Sequence, residues 1–210
     1  ENFDWYTLDK SRWAYGFHAS NEQLIGNYSF DNERQANSGG KNVSVVHGTF
    51  TLETKHEKCI SRAWNPTKGF YEKEFDYTSD VVQTADEFRQ TYGIFKAKIR
   101  CTGRAHHAFW LSNNSKLPHI NIFHYDGKAI TMGNAHQNVM DEVRITGLKH
   151  SSFYIYTLEW TPKELIWYIN DLEVHRTTSN VPKENLYLGF NSFLPNKEKP
   201  STGKLEVDWV

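Results

Sequence analysis

The chain has 210 residues, with 24 basic and 25 acidic side chains for a formal charge of -1, and aromatic residues make up 15 %, among them seven Trp and eleven Tyr. So even a balance leaves no electrostatic footprint for nucleic acid or for an anionic membrane surface. No stretch approaches the ~18 consecutive apolar residues of a membrane-spanning helix, so membrane insertion is not expected either.

The length suits one domain over 1–210 with its own core, expected as a monomer, and the aromatic content suits a sandwich with a ligand groove. Glu1, with neither Met nor a signal peptide before it, reads as a mature or trimmed start. Residues 16–42, where Asn, Ser, Gly and charges concentrate, read as a long loop. In 43–54, VSVVHGTFTLET, two strands join around His47-Gly48. A second long loop is expected over 56–92. Together the two loops are expected to wall the groove, with Trp64 and Tyr71 as candidate wall aromatics.

In 94–100, IFKAKIR, Phe95, Ala97 and Ile99 alternate with Lys96, Lys98 and Arg100, as in a strand with one wet face. Residues 118–125, PHINIFHY, alternate similarly, with His119, Asn121 and His124 as the polar positions. Across 153–176, Pro162 and Asn170-Asp171 mark the turns between three successive strands. Tyr154, Tyr156, Leu158 and Trp160 oppose Phe153 and Ile155, and Leu165, Trp167 and Ile169 oppose Ile166 and Tyr168. Strands apolar on both faces read as lying between layers, or under a groove where the outer face is aromatic. Trp160 and Trp167 are assigned to structure. Period-2 alternation recurs and no 3.6-residue stripe of helical length is found, so the fold class is all-β, a two-sheet antiparallel β-sandwich. Cys59 and Cys101 form one disulfide in an exported protein or are two buried thiols, and the lean is toward a secreted, periplasmic or cell-surface location.

Several of these segments carry a family likeness. Tyr92 to Arg100, then Ala108-Phe109-Trp110-Leu111, then PHINIFHYDG, then Tyr156 to Pro162 with Ile166 to Asn170, and finally Leu205 to Val210 succeed one another with the order and spacing of glycoside hydrolase family 16, which the chain resembles from about residue 42 to its end. The resemblance implies a concanavalin A-like β-jelly roll with a glycan cleft on its concave sheet, acting on β-glucans, galactans or related polysaccharides. In that family the strand after Phe-Trp-Leu carries Glu-x-Asp-x-x-Glu, in which the first Glu is the nucleophile, the Asp assists it and the second Glu is the acid/base. Here the corresponding positions read His119, Asn121 and His124. Strict alternation puts His124 on the face opposite His119 and Asn121. A β-bulge around Ile122-Phe123, as in the family's longer spacing, would turn it back into the cleft.

Retaining hydrolysis needs two carboxyl groups roughly 5 Å apart, one ionised to attack and one protonated to supply the leaving oxygen. An amide does neither. His124 can move a proton near neutrality, but no nucleophile accompanies it. No catalytic residue is therefore expected at these positions, and the sequence tips against catalysis without deciding it. The preferred reading is a carbohydrate-binding protein holding a polysaccharide or oligosaccharide, with Trp110 as sugar platform by its likeness to a cleft tryptophan of the family, or else as core packing. His119, Asn121, His124, His136, His106, His107 and Arg104 are the further substrate-binding candidates, His106-His107 standing where the family often has Trp-Pro. The alternatives are an active glycosyl hydrolase working through Asp126, Asp141, Glu142 or a metal, and a protein-interaction domain. Zn²⁺ at His119, His124 and His136 is the one cofactor the residues suggest. Hydrogen-bonding histidines lining a polar groove are preferred to it, so no cofactor is expected. Three lost carboxylates also make the floor neutral at pH 7 and positive near pH 6, which suggests an anionic sugar helped by Arg104, Lys116 or Lys128.

Overall fold

The computed structural model describes residues 1–4, 6–18, 27–114, 117–137 and 139–210. Among these all regular structure is β. The strands are β1 (Ala14–Tyr15), β2 (Ser29–Phe30), β3 (Gln35–Asn37), β4 (Val43–Val46), β5 (Thr49–Asn65), β6 (Gly69–Ser79), β7 (Val81–Gln83), β8 (Gly93–Gly103) and β9 (His106–Ser112). They continue with β10 (His119–Tyr125), β11 (Ile130–His136), β12 (Val139–Ile145), β13 (Tyr154–Trp160), β14 (Leu165–Ile169), β15 (Leu172–Thr177), β16 (Tyr187–Phe193) and β17 (Gly203–Trp209). One sheet has seven strands in the order β1-β7-β16-β9-β10-β11-β12. The other has ten, running β15-β14-β13-β8-β17-β5-β6-β3, with β2 and β4 paired to β5.

Turn chemistry fixes the expected hairpins. His47 and Gly48 both take left-handed φ, +49° and +74°, which matches the right-handed twist of β4 and β5. Asn170 and Asp171 do the same between β14 and β15, at +47° and +64°. β8 buries Phe95, Ala97, Ile99 and Cys101 and turns Lys96, Lys98 and Arg100 outward, as its alternation predicts. Between the sheets, Phe50, Leu52, Tyr156, Leu158, Trp160, Trp167, Leu205 and Val207 meet Phe109, Leu111, Ile120, Phe123, Met132 and Phe190. Fully burying side chains of this size is worth about 1.5–3 kcal/mol each before the entropy of ordering them is subtracted.

Two expectations need correction, and one open alternative is decided. Residues 56–92 are not one loop, because β5 and β6 run through them as a long hairpin turning at Asn65–Gly69. Charged, exposed positions such as Lys55, Glu57, Lys58, Arg62, Glu72, Glu74 and Asp76 interrupt its apolar alternation, so the hydrophobic signal of a strand is weak there. The doubly apolar strands of 153–169 do not lie between layers or under a groove. Tyr156, Leu158 and Trp160 face the core, whereas Ile155 and Glu159, both half-buried, pair with Lys98 and the exposed Ile94 on the outer face of the ten-stranded sheet. Of the two readings of the cysteines the thiol one holds: Cys59 and Cys101 are both free, Cys101 buried and Cys59 half-buried, and burial in β8 pushes the Cys101 thiol up to about 12.

A neutral cleft on the seven-stranded sheet

The decisive local feature is the β10 bulge. Asn121 pairs with Trp110, but Phe123 already pairs with the next residue, Phe109, so β10 holds one residue more than β9 over this stretch. Ile122 and Phe123 both turn into the core, at 0 % and 1 % exposed. His124 thereby returns to the outer face, shared with His119 and Asn121, as the bulge expectation required. The irregular ladder leaves the Asn121 carbonyl to a partner from the other sheet, and Trp167 Nε1 donates to it at 3.0 Å. A core tryptophan thus holds the bulge, and the bulge sets which side chains reach the surface.

Register then lays out the outer face in rows. Tyr187, Ser112, His119 and Ala135 form one row; Gly189, Trp110, Asn121 and Gly133 the next; Asn191, Ala108, His124 and Thr131 the third. A cleft of about 420 Å³ lies over these rows, walled by Phe17, His18, Tyr28, Phe30, Trp64, Asn113, Asn114 and Phe193. Phe17, Tyr28 and Phe30 pack on one another with centroids 5.0–5.8 Å apart, and Trp64 joins through Phe70 at 4.8 Å. The wall expected from 16–42 is therefore present in Phe17, His18, Tyr28 and Phe30. Trp64 also belongs to the wall, but from a strand. Tyr71 does not line the cleft; its hydroxyl donates to Asp31 at 3.3 Å.

Of the candidate residues, Trp110, His119, Asn121 and His124 line the cleft. Trp110 Nε1 donates to Asn191 Oδ1 at 3.0 Å, and its ring covers Gly189 beside His119 and Tyr187, leaving 7 % of the residue exposed. His119 Nε2 and Asn121 Oδ1 are 3.1 Å apart. His106 shares this face and reaches His124, Nδ1 to Nε2 at 3.3 Å, just outside the cleft lining.

His107, His136 and Arg104 are misplaced by the sequence reading. His107 is one position out of phase with His106, so it points into the sandwich, fully buried, stacks on Tyr125 and contacts Ser192 Oγ at 2.6 Å. His136 pairs in register one step from Ala135, hence on the face opposite His119, where Nδ1 meets the Asn180 carbonyl at 3.0 Å and Nε2 approaches Glu184 at 3.4 Å. The trio His119, His124 and His136 therefore cannot share a metal ion. Arg104 sits exposed in the β8–β9 turn, away from the cleft. Lys128 is exposed in the turn capped by Asp126, and Lys116 falls outside the described residues. Tyr187, Asn191 and Phe193 escaped sequence reading, although YLGFNSF alternates like the other strands; its central glycine masked the pattern.

Electrostatically the cleft is neutral. None of its described lining residues is Asp, Glu, Lys or Arg. Burial pushes the His124 imidazole down to about 4, with His106 adding to the effect. His119 is lowered by burial against the opposing Asn121 contact, and His106 is lowered by burial too. The expected positive floor near pH 6 is thus corrected: desolvation disfavours the imidazolium. Asp126 is committed to Arg144 at 2.6 Å and to the Lys128 and Ala129 amides, which together outweigh burial and hold its carboxyl near about 2. Asp141 faces away, 3.0 Å from His175. Glu142 pairs with Gly133 and so shares the outer face with Asn121, two strands distant.

The sequence profile described as glycosyl hydrolases family 16 matches residues 30–210. The chain belongs to glycosyl hydrolase family 16. Among curated relatives, the protein named endo-1,3-1,4-beta-glycanase EglC of Rhizobium meliloti (strain 1021) is 26 % identical over 196 residues, 84 % of this chain and 40 % of that protein. A beta-glucanase of Rhodothermus marinus is 23 % identical over 205 residues, covering 84 % and 63 %. The chain thus spans less than two thirds of the length of these relatives. Among solved structures, the catalytic domain of an endo-1,3-beta-glucanase (laminarinase) from Thermotoga petrophila RKU-1 superposes with a TM-score of 0.76 at 18 % identity, covering 100 % of this chain and 93 % of that one. A variant of LamA from Zobellia galactanivorans, solved with laminaritriose and laminaritetraose, gives 0.75 at 19 %, covering 100 % and 95 %. At such identities the likeness is one of fold, the family 16 jelly-roll sandwich. Family membership makes the function of the chain a carbohydrate-related one.

Proposed function

We propose that the family 16 cleft of this chain binds a neutral β-glucan-type polysaccharide and does not cleave it by the retaining double displacement. Trp110 offers ring surface to a sugar face, and His119, Asn121 and His124 exchange hydrogen bonds with hydroxyls. The observation that carries the reading is the bulge: it presents His119, Asn121 and His124 together on the cleft floor, where two carboxyl groups would have to stand for that mechanism. The absence of charged lining among the described residues supports a neutral glycan, and the glycanase and laminari-oligosaccharide descriptions of the relatives support the glucan class.

A second reading, hydrolysis through other groups, is favoured by the names of those same relatives and by Glu142, the carboxylate that shares this sheet face. Incubation with mixed-linkage and β-1,3-glucans, measuring both retained ligand and released reducing ends, separates the two. Saturable binding without reducing ends is the expected result. Sustained release that survives joint replacement of His119, Asn121 and His124 by Ala but is lost in Glu142→Gln would establish the second reading instead.

A further inference from the structure

We infer that the glycan taken by this cleft carries acetyl groups, whose carbonyl oxygens are received by the side-chain amides of Asn114, Asn121 and Asn191; the inference rests on the glycan reading and names the substituent which that reading leaves open. All three amides line the cleft, and each has its oxygen already engaged. Arg89 Nη2 donates to Asn114 Oδ1 at 2.7 Å, and Trp110 Nε1 donates to Asn191 Oδ1 at 3.0 Å. A guanidinium and an indole N–H only donate, so these two contacts settle which end of each amide is the oxygen. His119 Nε2 donates to Asn121 Oδ1 at 3.1 Å, which leaves Nδ1 of that ring as an acceptor.

The lining therefore holds an excess of donors. None of the three Nδ2 amino groups has a hydrogen-bond partner among the described residues, and none is sealed away from solvent. Register sets Asn121 and Asn191 on opposite flanks of β9 with Trp110 between them, and Asn114 stands just past the end of that strand. Their supports are anchored: Arg89 Nε donates to the Ala85 carbonyl at 2.6 Å with its guanidinium 5.0 Å over the Tyr187 ring, and Trp110 covers Gly189. A sugar hydroxyl brings a proton that needs an acceptor of its own, whereas a carbonyl brings acceptors alone, so acyl oxygens match these amides better than hydroxyls do. The methyl of an acetyl group meets the aromatic wall of Phe17, Tyr28, Phe30 and Phe193, where burial favours it. Carboxylate and sulfate also accept from amides, but no Lys or Arg lines the cleft among the described residues to offset the desolvation of their charge.

Matched oligosaccharides of equal length test the inference by calorimetric titration of the full chain. One pair is a laminari-oligosaccharide with and without partial O-acetylation; the other is an N-acetylchito-oligosaccharide beside a cello-oligosaccharide, which differ only at the acetamido group. In at least one pair the acetylated member is expected to bind about tenfold tighter than its plain partner, and the pair that shows it separates ester from amide. Asn114→Asp and Asn191→Asp, each checked by melting temperature, keep the oxygen that Arg89 or Trp110 needs and lose the amino group. The acetyl preference is expected to shrink by about tenfold in each. Should the variants unfold, side-chain amide NMR signals of the parent chain carry the test, since those of Asn114, Asn121 and Asn191 should move on saturation with acetylated ligand. Equal affinity within both pairs overturns the inference and leaves the glycan reading standing, whereas binding of no oligosaccharide removes both. A preference that survives in both folded variants, or tighter binding of a sulfated or uronate oligosaccharide than of either acetylated one, also overturns it.

Discussion

Replacing Gly189 by Ala tests the seat of Trp110 with a single methyl group. A Cβ built at Gly189 falls 2.5 Å from both Cη2 and Cζ2 of the Trp110 ring and 3.0 Å from Cε2. Carbon atoms attract best at about 3.5–4.0 Å, so the ring must retreat by about 1 Å. It is not free to do so: Asn191 holds Nε1 at 3.0 Å, and Tyr187 meets the ring edge-on at 5.8 Å. The backbone of Gly189 lies outside the left-handed region, so alanine adds no conformational strain and the clash is the whole perturbation. Overpacking of this kind costs about 1–3 kcal/mol, and losing the Asn191 bond adds about 0.5–1.5 kcal/mol. At about 2–4 °C per kcal/mol for a chain of this length, the melting temperature should fall by several degrees. Calorimetry gives that shift, tryptophan fluorescence reports the moved indole, and sedimentation with insoluble β-glucan should show retained protein reduced well beyond what unfolding explains. A variant with parental melting temperature, parental emission spectrum and parental glucan retention would refute the placement of Trp110 over Gly189 as the floor of the cleft.

The remaining predictions concern the bulge and the histidines. Trp167→Phe removes part of a fully buried indole and leaves the Asn121 carbonyl without its 3.0 Å donor, so urea unfolding should show a loss of about 1–3 kcal/mol from the carbonyl and a further loss from the cavity; an unchanged midpoint would mean that the ladder or water serves that carbonyl equally well and that the core closes over the gap. Burial holds His124 near about 4 in the fold, below its unfolded value of about 6.5. Stability from this group is therefore full above pH 6.5 and is lost as pH falls toward 4, by about 2–3 kcal/mol, and urea midpoints of His124→Asn should show a shallower acid limb. For the same reason affinity for a neutral glucan should be flat between pH 5.5 and 8; an affinity that rose toward pH 5.5 for sulfated over neutral glycan would mean that the imidazoles do protonate there.

Legibility divides along the range of the interactions. The β8 alternation, the His47-Gly48 and Asn170-Asp171 turns and the placement of Trp160 and Trp167 in the core follow from neighbours in sequence, and each stands where local chemistry puts it. The β10 bulge was legible only through the family likeness, since strict alternation alone throws His124 into the core. The long β5–β6 hairpin was illegible because its exposed positions carry no apolar period, and His107 and His136 were misread because a motif gives residue types while register gives faces.

The sequence by itself determined that this chain is an all-β sandwich of family 16, and that the strand on which the resemblance places the family's acids carries imidazoles and an amide. Tertiary structure decided which histidines reach the cleft, that burial there disfavours their charged form, and that Phe17, Tyr28, Phe30 and Trp64 wall it. The physical reason is that alternation fixes a side chain only relative to its own strand, whereas its partners and its desolvation are set by strands and loops distant in sequence.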